Sequence, residues 1–158
     1  FKVYHPLAFY AAFFSIRAKA FDLRIMTGDL NTQLKEFNRI KALDRGASPK
    51  EKDLMSALEV SMEMYQRGYR FVNVDIQHSE ARRFSIKDGA LLPPFLAIDS
   101  LGETVADAIV AEREERPFTS LKDLQRRCKV SNTIIDLMKE LKCCGELPED
   151  EQMSLFGA

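Results

Sequence analysis

The fold of this chain is decided by one stretch, Ile98-Asp99-Ser100-Leu101-Gly102-Glu103-Thr104-Val105-Ala106-Asp107-Ala108-Ile109-Val110. A helix is predicted from Thr104 onward, because apolar side chains such as Val105 and Ile109 recur there on one face. Gly102 stands just before this helix and has no Cβ, so the backbone of a turn at this point can approach another surface closely. The stretch therefore predicts a tight turn followed by a helix whose first turn faces outward.

The outward start of that helix indicates a type of ligand. The first N–H groups of a helix have no partner within the helix and carry a partial positive charge, so a phosphate is their natural ligand. A tight turn leading into such a helix is typical of a helix-hairpin-helix, and the backbone of duplex nucleic acid is the first hypothesis. The alternative is a plain helical hairpin that binds nothing.

The same pattern recurs further along the chain. Ser120, with Asp123 three residues later, predicts the start of a helix after the break at Arg116-Pro117. Ser131 predicts the start of another, with Val130 placed to pack against its first turns. The intervening turn, Lys129-Val130-Ser131-Asn132, contains no glycine. The sequence therefore predicts two helix-hairpin-helix units in tandem.

Helices are also predicted upstream of the hairpins. Residues 7–19 are apolar nearly all round, which indicates a helix buried on several sides. Two amphipathic helices follow, over residues 29–45 and from Ser48 to Gly68, and they form an antiparallel pair around Gly46. The predicted buried positions are Leu30, Leu34, Phe37, Ile40 and Leu43 in the first helix, and Leu54, Leu58, Met62 and Tyr65 in the second.

A small β element is predicted between the helical pair and the hairpins. Tyr69–Ile76 alternates and is rich in β-branched and aromatic residues, which favours a strand. Residues 83–86 lead into a turn at Lys87-Asp88-Gly89. The run Leu91–Phe95 contains two prolines and is predicted to be an extended connector that packs on the hairpin.

Composition limits the class of protein. The 158 residues are 46% hydrophobic and 30% charged, with a net charge of -1, so a folded protein is expected, without the basic field of many nucleic-acid binders. The chain opens at Phe1 in an apolar-aromatic run with no leader pattern, and we expect a piece of a longer chain. No apolar run approaches the ~18 residues of a membrane span. The three cysteines form no CxxC pair, which favours free thiols over zinc.

The end of the chain carries an isolated apolar pair. Gln152-Met153-Ser154-Leu155-Phe156 follows a polar stretch without periodicity. A Leu-Phe pair in a polar tail either folds back on its own domain or anchors in the pocket of a partner. Composition alone leaves both possibilities open.

Several of these motifs, taken together and in order, resemble a known family. The chain is similar to the C-terminal end of the PolC-type DNA polymerase III alpha subunit, the replicative polymerase of low-GC Gram-positive bacteria. The residues that carry the resemblance are Leu91-Leu92-Pro93-Pro94-Phe95, Ile98 to Gly102, Ala108-Ile109, Arg113, Pro117-Phe118-Thr119-Ser120, Asp123-Leu124, Arg127, Val130-Ser131-Asn132-Thr133 and Gln152 to Phe156.

The resemblance implies a fold and a division of the chain. The fold would be mainly α with a small β element: helices that end the polymerase fingers, a tandem helix-hairpin-helix domain that binds duplex DNA, and a flexible C-terminal tail. Residues 1–75 would be the C-terminal part of the fingers, 76–147 the duplex-binding domain, and 148–158 the tail with a motif that binds the sliding clamp.

The resemblance also implies site residues. Phosphates would contact Ser100, Leu101, Gly102 and Thr104 in the first turn, and Lys129, Ser131, Asn132 and Thr133 in the second. The sliding clamp would contact Gln152, Met153, Ser154, Leu155 and Phe156. One departure is that the family's hairpin commonly has glycine where Ser100 stands.

The implied activity belongs to the whole polymerase. It would be a DNA-directed DNA polymerase that uses Mg²⁺, with a 3′-5′ exonuclease in the family, whereas this stretch would hold no catalytic residue, metal ligand or cofactor. Its partners would be double-stranded DNA of any sequence, the sliding clamp (the beta subunit) and the remainder of the polymerase chain, in the cytoplasm and away from membranes. Two other classes stay open: a stand-alone tandem helix-hairpin-helix module of a repair or recombination protein, and an interaction scaffold built around the C-terminal peptide.

Overall fold

A computed structural model describes residues 2–150 of the chain. Within that range the chain forms seven α-helices and one antiparallel two-stranded sheet. The helices are α1 (Pro6–Ile16), α2 (Leu23–Met26), α3 (Leu30–Leu43), α4 (Pro49–Gln66), α5 (Glu103–Glu115), α6 (Leu121–Cys128) and α7 (Asn132–Glu140), the strands are β1 (Ser85–Lys87) and β2 (Ala90–Leu92), and short 3-10 turns lie at Ala18–Ala20, Asp44–Gly46 and Phe95–Ala97. No helix in the described range has the length and apolar character needed to cross a membrane.

Helices α3 and α4 form the predicted antiparallel pair. Ser48 begins α4 with a full capping box, in which its hydroxyl accepts from the Glu51 N–H at 3.1 Å and its own N–H donates to the Glu51 carboxylate at 3.1 Å. Arg39 in the second half of α3 reaches Glu51 in the first turn of α4, at 3.0 Å. The chain therefore reverses direction between the two helices, around the turn that contains Gly46.

The buried face of α3 differs from the predicted one. Leu34 and Leu43 were expected to be buried, but they are 45% and 40% exposed. Gln33 is buried instead: its amide donates to the Met26 carbonyl at 3.2 Å and accepts from the Ser61 hydroxyl at 2.5 Å. The prediction for Leu34 and Leu43 is wrong. Gln33 can be buried at little cost because its side chain is hydrogen-bonded, and the face of α3 that carries Gln33 therefore packs inward while Leu34 and Leu43 face solvent.

The predicted strand over Tyr69–Ile76 does not form. The segment makes a single parallel bridge, between Phe71 and Leu91. At this bridge the Val72 N–H donates to the Leu91 carbonyl at 2.9 Å and the Leu91 N–H donates to the Arg70 carbonyl at 3.0 Å, whereas the Ile76 N–H, further along, donates to the Cys143 carbonyl at 3.2 Å. The segment is extended because it threads between the sheet and the end of α7, and no second strand lies along it to form a ladder.

The turn of the β-hairpin is one residue shorter than predicted. Strands β1 and β2 pair with Ser85 opposite Leu92 and Lys87 opposite Ala90, so Lys87, predicted in the turn, ends β1 and the loop is Asp88-Gly89. Asp88 and Gly89 have φ of 51° and 76°, the left-handed values that a tight two-residue hairpin requires. Leu91 and Leu92, predicted in the extended connector, instead belong to β2. Pro93 and Pro94 follow the last paired residue of β2, so they do not interrupt the strand.

Four phenylalanine rings join the N-terminal helices to the rest of the chain. Phe14 comes from α1, Phe21 follows the first 3-10 turn, Phe71 lies in the extended segment and Phe84 precedes β1. The Phe71 ring lies 4.9 Å from the rings of both Phe14 and Phe21, and the Phe84 ring lies 5.1 Å from that of Phe21. All four are buried. We call this group the aromatic cluster; edge-on packing of this kind adds to the gain from burial.

Candidate nucleic-acid interface

The first hairpin consists of the 3-10 turn Phe95–Ala97, a turn over residues 98–102, and α5. Leu101 is buried, and its N–H donates to the Ile98 carbonyl at 3.2 Å, so it anchors the turn in the core. Ser100, Gly102 and Thr104 are exposed. Of the four predicted contact residues in this hairpin, three therefore present themselves to solvent and Leu101 supports them from below.

Glycine is not needed at Gly102 for any contact inside the protein. Its φ is -80°, and a Cβ placed there would meet no atom within 4 Å. The left-handed residue of the turn is Ser100, with φ of 65°. Serine thus occupies the position where glycine has the conformational advantage, the same position at which the chain departs from the family pattern.

Helix α5 begins without a side-chain cap. Gly102 is the N-cap residue and offers no oxygen to the N–H groups of the first turn. The neighbouring Glu103 and Thr104 are exposed. The helix start predicted to face outward does so, and its donors are free to bind an anion.

The second hairpin joins α6 to α7 at the predicted turn. Lys129 takes the left-handed conformation, with φ of 57°, and Val130 is buried beneath the turn. Ser131 caps α7, with its hydroxyl accepting from the Ile134 N–H at 3.2 Å. The side-chain Oδ1 of Asn132 accepts from the side-chain amide of Gln125 at 2.6 Å. All four predicted contact residues, Lys129, Ser131, Asn132 and Thr133, are exposed.

The two hairpins differ in charge. Three carboxylates, those of Asp99, Glu103 and Asp107, lie at or near the start of α5, and Arg82 pairs with two of them, at 3.5 Å from Glu103 and 2.6 Å from Asp107. The hydrogen bond from Arg82 lowers the pKa of Asp107. At the second hairpin the first turn of α7 holds no acidic residue, and Lys129 is exposed beside it. An approaching phosphate would therefore meet more positive charge at the second hairpin.

A buried ion network holds α5 against α6, and sequence reasoning did not single it out. The Asp123 carboxylate receives the Arg127 guanidinium at 3.1 Å and the Thr119 N–H at 3.1 Å. Arg127 also pairs with Glu112 at 3.2 Å and donates to the Arg116 carbonyl at 3.0 Å, near the end of α5. The sequence pattern assigns Asp123 to the start of α6, and Arg127 enters only through the family resemblance. An Asp and an Arg at i and i+4 in a helix are the one signal that pointed to this pair.

The start of α6 is closed by the chain itself. The Leu121 N–H donates to the Pro148 carbonyl at 2.8 Å, and the Lys122 N–H to the Glu149 carbonyl at 3.2 Å. The resemblance assigns Pro148 and Glu149 to the flexible tail, but their carbonyls are bonded to the start of α6. Among α5, α6 and α7, the helices of the two hairpins, α6 is the one whose first N–H groups are taken by another stretch of the chain, whereas α5 has no side-chain cap and α7 is capped by Ser131.

The described residues form no cluster of side chains that could bind a metal ion. Among residues 2–150 no group of three or more His, Cys, Asp or Glu side chains is placed to hold an ion. His78 pairs with Asp75 at 2.7 Å, and Lys87 reaches the same carboxylate at 3.0 Å. Cys128, Cys143 and Cys144 are buried free thiols.

Comparison with known proteins decides the family. The model of the family described as "Helix-hairpin-helix motif" matches residues 68–152, more than half of the chain. The chain belongs to the helix-hairpin-helix family. The matched range covers both hairpins, the sheet and the extended segment that contains Phe71.

The helix-hairpin-helix region and the helices before it also resemble curated proteins of one kind. The chain is 44% identical over 156 residues to a DNA polymerase III PolC-type of Caldanaerobacter subterraneus, 45% identical over 158 residues to that of Streptococcus suis, and 43% identical over 158 residues to that of Streptococcus pyogenes. Each match covers 99% of this chain and 11% of the relative. The resemblance to the PolC-type family is confirmed, and the chain spans a small part of the length of those relatives.

Proposed function

We propose that this chain is the part of a PolC-type DNA polymerase III that holds duplex DNA, through backbone phosphates and without sequence preference. The observation that carries the proposal is the 43–45% identity to polymerases of that name over 99% of the chain. The whole protein would be a DNA-directed DNA polymerase of the cytoplasm that uses Mg²⁺, and its chemistry would belong to residues outside this chain. The similarity extends over α1 to α4, which favours this role over a stand-alone repair module.

The geometry supports binding by a few contacts. The open start of α5 offers backbone donors, and the second hairpin adds Lys129 and the polar side chains of Ser131 to Thr133. Contacts of this kind position a protein on a duplex but do not read bases. With few phosphates neutralised, affinity should be weak and should fall with salt at roughly -0.9 per phosphate, on a logarithmic scale.

A matched pair of lysines tests the proposal. Lys129 and Lys142 are both exposed, and both have left-handed φ, at 57° and 59°, but Lys142 lies beyond the opposite end of α7. Lys129→Glu should weaken duplex binding several-fold in fluorescence anisotropy and reduce the salt slope by about one or more, since a cation near phosphate is replaced by an anion. Lys142→Glu should leave both unchanged. Equal effects of the two variants, or strong discrimination among duplex sequences, would contradict the proposal.

We also propose that Gln152–Phe156 bind the sliding clamp. These residues lie outside the described range, and the support is the adjacent Leu155 and Phe156 in a polar tail together with the resemblance. Burial of two large apolar side chains supplies a few kcal/mol, part of which is lost in ordering the peptide, so the isolated peptide should bind at about the micromolar level. In an extended peptide alternate side chains point away from a groove, so Met153 and Ser154 should tolerate change.

Calorimetry with a purified bacterial sliding clamp tests this second part. The double variant Leu155→Ala, Phe156→Ala should abolish binding, whereas Met153→Ala, Ser154→Ala should retain it. The melting temperature of both should equal that of the parent chain. A large fall in melting temperature for the first variant would show that the tail covers its own domain instead.

A further inference from the structure

The stretch Leu147–Asp150, which we call the strap, is held firmly against the second hairpin unit. Its Pro148 and Glu149 carbonyls accept the Leu121 and Lys122 N–H groups, and Leu147 packs against the core. These are backbone contacts on the first turn of a helix, where N–H groups otherwise need an outside partner.

The first turn of α6 is thereby fully satisfied. The Leu121 and Lys122 N–H groups are taken by the strap, the Asp123 N–H donates to the Ser120 hydroxyl at 3.0 Å, and the Leu124 N–H donates to the Ser120 carbonyl at 3.0 Å. The strap occupies the place that an anion takes at an open helix start. Two consecutive backbone hydrogen bonds, of 2.8 Å and 3.2 Å, therefore hold the strap on α6.

Side chains join the strap to both helices of the hairpin. Lys122 of α6 pairs with Asp150 at 2.9 Å, and Lys139 of α7 pairs with Glu149. The contacts come in sequence order, with Leu147 in the core and Asp150 at the last described position. The strap therefore fixes the point, beside the start of α6, from which the C-terminal residues depart.

The distance from this point to the candidate clamp-binding residues is short. Gln152 is two residues beyond Asp150, and Phe156 is six residues beyond it. An extended chain spans at most about 3.6 Å per residue, so Gln152 lies within about 7 Å of Asp150 and Phe156 within about 22 Å. A globular partner that holds this peptide cannot be far from α6 and α7.

We propose that the strap docks the sliding clamp directly against the α6–α7 hairpin, at the surface around Lys122 and Lys139. This inference rests on the proposed clamp contact of Gln152–Phe156. The strap then acts as a rigid mount, so that the clamp takes up one orientation relative to the second hairpin and to the duplex held there. Part of the affinity for the clamp comes from contacts with the hairpin surface. Another part comes from the fixed position of the start of the peptide, which reduces the entropy lost when the peptide binds.

Three molecules separate the inference from the function on which it rests. They are the 158-residue chain, the same chain with ten Gly and Ser residues inserted between Glu151 and Gln152, and the free peptide of residues 151–158. The insertion leaves the strap and the peptide unchanged but lengthens the connection. Calorimetry with purified bacterial sliding clamp should show binding by the chain at least about tenfold tighter than by the free peptide, with most of that advantage lost on insertion.

Lysine-reactive cross-linking to the clamp provides a second measurement. Lys122 or Lys139 should cross-link in the parent chain and lose the cross-link after insertion, whereas Lys41 on α3 should not cross-link in either. Equal affinity of all three molecules, with no cross-link near the strap, would overturn the docking and leave the clamp contact standing. Absence of binding by all three would overturn the clamp contact itself, and the docking with it.

Discussion

The Asp123 carboxylate lies 3.1 Å from the Arg127 guanidinium, and the two side chains are 0% and 8% exposed. Asp123 and Arg127 are one helical turn apart within α6. Arg127 also pairs with Glu112 of α5 and donates to the carbonyl of Arg116, the residue that follows α5. Two buried charges that satisfy each other add little net stability, but removing Asp123 leaves the buried Arg127 with Glu112 as its remaining ionic partner. The pair therefore makes the angle between α5 and α6 sensitive to either residue.

Replacing Asp123 with asparagine should lower the free energy of unfolding by about 3 kcal/mol, the lower end for a broken buried pair because Glu112 still faces Arg127. Urea denaturation followed by circular dichroism measures the change. Asp136→Asn is the matched control, since Asp136 is an exposed carboxylate on α7. A similar small effect for both variants would show that the network does not hold the helices together.

The contribution of Asp123 should depend on pH. Burial by itself raises the pKa of Asp123, but the Thr119 N–H and the Arg127 guanidinium favour the charged form more strongly, so its pKa lies below the usual value. The stabilisation is then complete above the unfolded-state pKa of about 4 and is lost as pH falls through the lower folded-state pKa. The difference in stability between the parent and Asp123→Asn, measured in urea from about pH 6 to pH 2, should narrow only below about pH 4. A constant difference would contradict this.

The substitutions Gly102→Ser and Ser131→Gly should change the free energy of unfolding in opposite directions. Gly102→Ser supplies a cap for α5 and should add a few tenths of a kcal/mol, while its hydroxyl takes an N–H that a phosphate would otherwise bind. Ser131→Gly removes the cap of α7 and should cost about as much. Thermal melting and duplex anisotropy should show Gly102→Ser more stable but weaker in binding. A gain in stability with unchanged affinity would show that the start of α5 does not contact the duplex.

The three cysteines should be unreactive in the folded chain. Burial raises the pKa of Cys128 and Cys144 to about 11 and that of Cys143 to about 12, so few thiolates are present near neutral pH. A disulfide reagent at pH 8 should label them slowly in buffer and rapidly in concentrated guanidinium chloride. Rapid labelling without denaturant would show that the end of α6, which holds Cys128, or the stretch after α7, which holds Cys143 and Cys144, opens easily.

The helix starts were predictable from sequence because a cap is a local device. Ser48, Ser120 and Ser131 each accept the N–H three residues along, as the spacing predicted. The turn at Lys87-Asp88-Gly89 was predictable for the same reason, since its φ angles depend on two adjacent residues. The position of the second hairpin turn followed from the caps, whereas that of the first followed from Gly102 and the apolar face of α5.

Features that depend on distant partners were not predictable. Residues 69–76 have the composition of a strand, but a strand needs a neighbour, and that neighbour is absent along most of the segment. Gln33 is buried because Met26 and Ser61 come together around it. The strap left no mark in sequence patterns because its main contacts use backbone carbonyls, which every residue possesses.

The aromatic cluster also bears on how this region could be exchanged between proteins. Phe71 and Phe84 lie inside the range matched by the helix-hairpin-helix family, whereas Phe14 and Phe21 lie outside it. A gene fusion that carried only residues 68–150 into another protein would uncover two phenylalanine rings that are buried here. The recipient would need apolar side chains of its own at that place, or the transplanted region would tend to aggregate. In this chain the hairpin region therefore depends on the preceding helices to cover Phe71 and Phe84.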